Sequence, residues 1–157
     1  MAPHFRALER MYLSAPINDF FRPDIHIEEG TATIRVSIRP DMHHAAHAAH
    51  GAVYFKSLDD AAFFAVQSLV PDVFVLTSSF QVHFLAPVVD GEMVATGKVV
   101  HQSKRLFLAD AVIEVAGKVV ARGNGTFMRS AITLADLTAT LGSPKRPTTK
   151  KPGESPS

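Results

Sequence analysis

From Gly51 to Leu69 the chain carries no proline and no second glycine, and across that stretch Phe55, Leu58, Ala62, Val66 and Leu69 recur at intervals of three and four residues. That spacing is the repeat of one helix face and predicts a single helix of about five turns. Val53, Tyr54, Phe63, Phe64 and Ala65 occupy its other faces, so apolar side chains nearly encircle it. In a water-soluble chain such a helix has to be covered on most sides. A sheet that wraps it is the expected cover.

The rest of the chain supplies the strands. Between Thr31 and Arg39 the alternation is nearly perfect, with Ala32, Ile34, Val36 and Ile38 on one face and Thr33, Arg35, Ser37 and Arg39 on the other, up to Pro40. After the helix come four segments rich in Val, Phe, Ile and Thr: Val73 to Leu85, Glu92 to His101, Leu106 to Val115 and Lys118 to Met128. Pro87, Asp90-Gly91, Ser103-Lys104-Arg105 and Gly117 separate them. A strand, a long helix and then four strands read as α+β with an antiparallel sheet. Upstream, residues 3 to 14 fit a short helix with Leu8, Met11 and Tyr12 on one face, and Pro16 and Pro23 break the pattern into a connector. The expected organisation is an N-terminal helix and connector over 1–29, one domain over 30–130, and a C-terminal extension over 131–157. Four prolines with Lys, Thr and Ser predict disorder in that extension from about residue 142.

Composition narrows the class. Lys145, Arg146, Lys150 and Lys151 against Glu154 put +3 on the last fifteen residues and leave about −2 on the rest, so nucleic acid is not an expected partner. With no cysteine, disulfides, a thiol nucleophile and Cys-containing zinc sites are excluded. No apolar run reaches the roughly 20 residues of a membrane span. Residues 1–10 lack the apolar stretch of a secretory signal, and a cytoplasmic protein is expected.

The candidate chemistry gathers around the long helix. Neither a Gly-x-Ser-x-Gly elbow nor a phosphate-binding glycine loop is present. At the helix start stands His50-Gly51-Ala52, where unpaired N–H groups and the positive end of the helix dipole can hold an oxyanion; the plainer reading is that Gly51 eases chain entry. Asp59 and Asp60 are adjacent acids in an otherwise apolar element, so at least one is expected to be partly buried, either paired to a Lys or Arg or kept for chemistry. Eight residues separate Gly51 from Asp59, about 12 Å of helix at roughly 1.5 Å per residue. The two cannot flank one carbonyl within one chain, and joint action requires a second subunit. His43, His44, His47 and His50 share helical spacing, but with only Asp41 nearby a metal site is not expected; His50 reads as a cap or orienting residue.

The stretch HGAVYFKSLDDAAFFAVQS, residues 50–68, resembles the signature helix of PaaI-type thioesterases, in which an acid follows the His by nine positions. LTSSFQVHFLAPVVDGEMVATGKVV, residues 76–100, and ARGNGTF, residues 121–127, are similar to the family's later strands, so the resemblance covers roughly residues 30–129. It implies the hotdog fold, an antiparallel sheet around one long helix, in homodimers that often pair into tetramers. It implies hydrolysis of an acyl-coenzyme A thioester to the free acid and coenzyme A, with coenzyme A entering only as part of the substrate and no further cofactor or metal.

By the same resemblance, the Gly51 N–H polarises the thioester carbonyl and Asp59 of the opposite subunit acts as general base or as nucleophile. Thr77 falls where some relatives position the water. His50 and His44 flank the oxyanion side, and Ala52, Asp60, Ser103, Lys104 and Arg105 are expected around the substrate, the last three toward the coenzyme A nucleotide. The chain departs from the family pattern at Ala52 for the second Gly, at His44 for an Asn that orients the site, and at Asp60, which doubles the acid. A non-catalytic acyl-coenzyme A-binding module is the alternative, and a hydratase ranks below both. Eleven Phe residues suit either an aryl or a fatty acyl pocket.

Overall fold

The structure is a computed structural model and describes residues 1–139; the expected disorder from about residue 142 lies outside them. In chain order the elements are helix α1 (Ala2–Ser14), a single turn of helix α2 (Asn18–Phe21), strands β1 (Asp24–Glu28) and β2 (Thr31–Ser37), a 3-10 turn (Pro40–Met42), helix α3 (Gly51–Gln67), strands β3 (Val73–Phe84), β4 (Glu92–Gln102), β5 (Leu106–Val115) and β6 (Lys118–Thr133), and helix α4 (Leu134–Ala139).

The strands form one six-stranded sheet in the order β1-β2-β4-β5-β6-β3, every neighbouring pair antiparallel. Each of β2, β4 and β5 alternates buried and exposed residues. The buried face carries Ile34, Val36, Met93, Ala95, Ala109 and Ile113 against α3. Helix α3 answers with Leu58, Ala61, Ala62, Ala65 and Val66, all fully buried. Leu58→Ala would cost about 2–5 kcal/mol by the usual cost of such a cavity.

Small residues set how close helix and sheet come. A Cβ placed on Gly97 of β4 would lie 2.2 Å from the carbonyl oxygen of Ala61 and 2.6 Å from the amide nitrogen of Ala62. Backbone meets backbone there, which only glycine permits.

Two features depart from the sequence reading. The connector over residues 15–29 contains β1, whose Ile25 and Ile27 are buried while Asp24, His26 and Glu28 face out; because β1 pairs with β2, residues 24–28 are part of the sheet and not a segment preceding it. Phe55, placed on the core-facing stripe of α3, is 41% exposed and packs against Phe80 instead. Helix α1 follows the expected face: Phe5, Leu8 and Tyr12 are buried, and Pro3 sits in the first turn, where its missing N–H is not needed.

Gln67 was not singled out by sequence, yet it fixes the geometry downstream. It is fully buried. Its amide nitrogen donates to the carbonyls of Val70 (2.9 Å) and Val73 (2.8 Å), and its oxygen accepts the N–H of Val75 at 2.9 Å. The end of α3 is thereby stitched to the start of β3, two residues before Thr77.

Candidate active site

Lys56, Asp59, Asp60, Phe63 and Phe64 follow one another at helical spacing and form a single face of α3. Asp59 Oδ1 accepts a 2.9 Å hydrogen bond from the Thr77 hydroxyl. Burial pushes the Asp59 carboxyl up to about 6; the Thr77 hydrogen bond opposes that rise, Asp60 adds to it and Lys56 opposes it. The group is held near the point where it can gain and lose a proton at neutral pH.

Asp60 is placed differently. Its Oδ2 accepts from Lys56 Nζ at 2.6 Å and from the Tyr12 hydroxyl at 2.8 Å. Lys56 also reaches the Tyr12 oxygen (3.1 Å) and Asn18 Oδ1 (2.8 Å), and it lies 4.9 Å from the ring centres of both Tyr12 and Phe21. Burial first, and then the Asp60 charge, raise the Tyr12 phenol, which stays a donor. The adjacent acids therefore separate: Asp60 is occupied in anchoring α1, α2 and α3 to one another, while Asp59 has one hydroxyl donor and opens into a cleft of about 660 Å³.

A second cleft, of about 390 Å³, lies at the start of α3 and is lined by His44, Ala49, Gly51, Tyr54, Phe84 and Ala86. Two of the first N–H groups of the helix are paired. His50 is the N-cap, its Nδ1 accepting the N–H of Ala52 at 2.9 Å, and Val53 donates to the His50 carbonyl. Ala52, expected around the substrate, therefore has its amide occupied by His50. Among the described residues the Gly51 N–H has no acceptor. His44 Nδ1 accepts the N–H of Ala46 at 3.0 Å and His43 Nε2 donates to Val89 O at 2.7 Å. No group of three or more His, Asp or Glu able to hold a metal occurs among the described residues.

The two clefts share no lining residue. Gly51 and Asp59 stay on one helix, about 12 Å apart along it. Ser103, Lys104 and Arg105 form the exposed β4–β5 turn and line neither cleft; the Ser103 hydroxyl is spent closing the turn against Leu106. Register puts that turn at the Asp59 end of the sheet, since Gln102 pairs with Phe107, Phe107 with Phe127, and Phe127 with Thr77.

The family model of the thioesterase superfamily matches residues 47–122, from the approach to α3 into β6. This chain has the hotdog fold, and the centre of its domain is similar to the thioesterase superfamily. It is similar to the PaaI protein of the Escherichia coli phenylacetic acid degradation operon, with 26% identity over 83% of this chain and 95% of that one at a TM-score of 0.76. A conserved Pseudomonas aeruginosa protein shares the hotdog fold at 23% identity over 78% and 98%, TM-score 0.72. So does a mutant of the phenylacetic acid degradation protein PaaI from Thermus thermophilus, at 24% over 73% and 99%, TM-score 0.68. No curated protein matches the chain significantly. Within this hotdog chain the superfamily match takes in Gly51, Asp59 and Thr77 but neither α1 nor α4. No helix among the described residues is long and apolar enough to cross a membrane.

Proposed function

We propose that this hotdog chain is an acyl-coenzyme A thioesterase whose active site is completed between two subunits, the Gly51 N–H of one facing Asp59 of the other. The observation that carries the reading is the division of the chemistry within one chain: an unsatisfied helix N-terminal N–H in one cleft, and a carboxyl raised to about 6 in another. Neither half can hydrolyse a thioester alone.

The sheet supports the pairing. Strand β3 lies at an edge, is 12 residues long and leaves Leu76 and Phe84 exposed, with Leu85 and Val89 beyond them. A long open apolar edge invites a second copy. Antiparallel association about a two-fold axis brings the start of one α3 toward the middle of the other.

At such a site the thioester carbonyl oxygen accepts the Gly51 N–H. Asp59 takes a proton from water as the water oxygen attacks the carbonyl carbon, and the tetrahedral oxyanion is held at the helix N-terminus. The carbon–sulfur bond then breaks, and the departing coenzyme A thiolate receives the proton that Asp59 holds. Free acid and coenzyme A result, with no cofactor required beyond the coenzyme A carried by the substrate. Lys104 and Arg105 offer exposed cations to its phosphates. Pairing of such dimers into tetramers and a cytoplasmic setting accord with this reading.

Thiol release from a panel of acyl-coenzyme A esters tests it. Turnover that falls at least about 100-fold in Asp59→Asn, with self-association intact, is the expected result. Stoichiometric acyl-coenzyme A binding without turnover would replace the enzyme with a binding module.

A further inference from the structure

The cleft that Asp59 opens into is larger than its chemistry requires. Beside the polar groups of Asp59, Thr77, Lys56, Asp60, Tyr12 and Ser14 its lining is mostly apolar. Phe63, one helical turn beyond Asp59, packs against Phe74 at 5.1 Å and Phe64 at 5.0 Å between ring centres, and at 6.2 Å against the fully buried Phe127. Phe63 thus links the cleft lining to the aromatic core. The charges on its wall cancel, because Lys56 and Asp60 are bound to each other.

The opposite wall comes from elsewhere in the chain. Met11, Ala15 and Ile17 line it from α1 and the turn that follows, and Leu137 from α4. All four lie outside the residues that the superfamily model matches. This wall is held firmly. Tyr12 donates to Asp60 and packs edge-on against Phe64 at 5.0 Å, while Asn18 donates to the Tyr12 carbonyl and accepts from Lys56.

We infer that α1 and its following turn, through Met11, Ala15 and Ile17, form the specificity wall of an acyl pocket that takes apolar groups of medium length, such as octanoyl or decanoyl, over acetyl. The inference rests on the thioesterase reading for the position of the thioester at Asp59 and goes beyond it in naming what lies past the carbonyl. At the roughly 30 Å³ that one water occupies in the liquid, a cleft of about 660 Å³ has room for roughly twenty such units. An acetyl group would leave most of it filled with water against phenylalanine. A medium acyl chain would displace that water and bury apolar surface on both sides.

The experiment compares kcat/KM for decanoyl- and butyryl-coenzyme A in the full chain, in wild type, Ala15→Phe and Met11→Ala. Ala15→Phe adds a ring at the wall and is expected to lower the decanoyl-to-butyryl ratio at least about tenfold, the usual scale for an apolar pocket losing space. Met11→Ala, which adds space, is expected to move the ratio toward longer chains. Unchanged ratios in both folded variants would overturn the wall. Weaker self-association in Ala15→Phe with an unchanged ratio would do the same, since a second copy and not an acyl group would then fill the cleft. If wild type hydrolyses no ester, the thioesterase reading fails first. Competition binding of decanoyl- against butyryl-coenzyme A to the same three proteins then tests the wall independently, and equal preference in all three would sink it.

Discussion

The Thr77 hydroxyl donates to Asp59 Oδ1 across the gap between β3 and α3, at 2.9 Å, and it opposes the rise that burial imposes on that carboxyl. The neighbouring Asp60 acts in the opposite sense. Two residues in contact with or adjacent to one acid thus set its proton affinity in opposite directions, and the directions can be separated by substitution.

As base or nucleophile, Asp59 must be ionised, so turnover should fall as pH drops through about 6. Thr77→Val removes the hydrogen bond that favours the charged form and should move the ascending limb of the kcat/KM profile to higher pH. Asp60→Asn removes the neighbouring negative charge and should move the limb to lower pH. Profiles from a stopped assay of thiol release would decide it; shifts of the same sign in both variants would show that Asp59 is not the titrating group.

The same burial has a cost in stability. In the unfolded chain Asp59 returns to the ordinary carboxylate range near 3.9, while in the folded chain it titrates at about 6. Between those values the native state holds the extra proton, so the stability contribution present at low pH is lost as pH rises through about 6. An asparagine in place of Asp59 would remain uncharged throughout and could still accept the Thr77 hydrogen bond. Asp59→Asn should therefore melt higher than wild type at pH 8, with the difference shrinking toward pH 4. A variant that melts lower at pH 8 would mean that the ionised carboxylate is well solvated.

The close contact between Gly97 and the backbone of Ala61 and Ala62 leaves no room for a methyl group, and neither partner is a flexible side chain. Gly97→Ala should cost about 1–3 kcal/mol or more by overpacking, read as a lower midpoint in urea. Because Asp59 lies on the same helix two residues before Ala61, displacement of α3 should also lower kcat. A neutral outcome would mean that helix and sheet separate there at little cost.

The features that sequence reveals and those that it hides differ in range. Helix α3 is legible because apolar residues nearly encircle it with no glycine or proline inside, and β2 because its alternation runs the length of the strand. Strand β1 offers only Ile25 and Ile27 between polar residues, a pattern too short to distinguish from a connector. The choice between Asp59 and Asp60 depends on Tyr12, 48 residues before Asp60, although Lys56 four residues before Asp60 was a local signal that this acid was already paired. Gln67 carries no signal at all, since its three partners are backbone groups that only the fold brings together. The wall that α1 gives to the Asp59 cleft is hidden for the same reason. His50 is legible as a cap from its place before the helix, but that its Nδ1 takes the Ala52 amide is seen only in the fold.

The helix start allows the oxyanion role and the shared site to be tested with one substitution. Proline is favoured at the first helical position and lacks the N–H. It requires an extended residue before it, and His50 at φ −61°, ψ 145° already has that conformation. A Cβ on Gly51 meets only the Phe84 ring, at 3.4 Å. Gly51→Pro should therefore fold as wild type does while losing the N–H of residue 51, lowering kcat by about 10²–10³-fold, as the loss of an oxyanion donor does. Mixing Gly51→Pro subunits with Asp59→Asn subunits then asks where the site lies. In a mixed dimer one site combines both defects, and the other pairs an intact Gly51 with an intact Asp59. If the two residues act across the interface, activity should return on mixing two nearly inactive proteins, up to about half of wild type in the mixed species. If each chain holds its own complete site, every site in the mixture carries one defect, and mixing restores nothing.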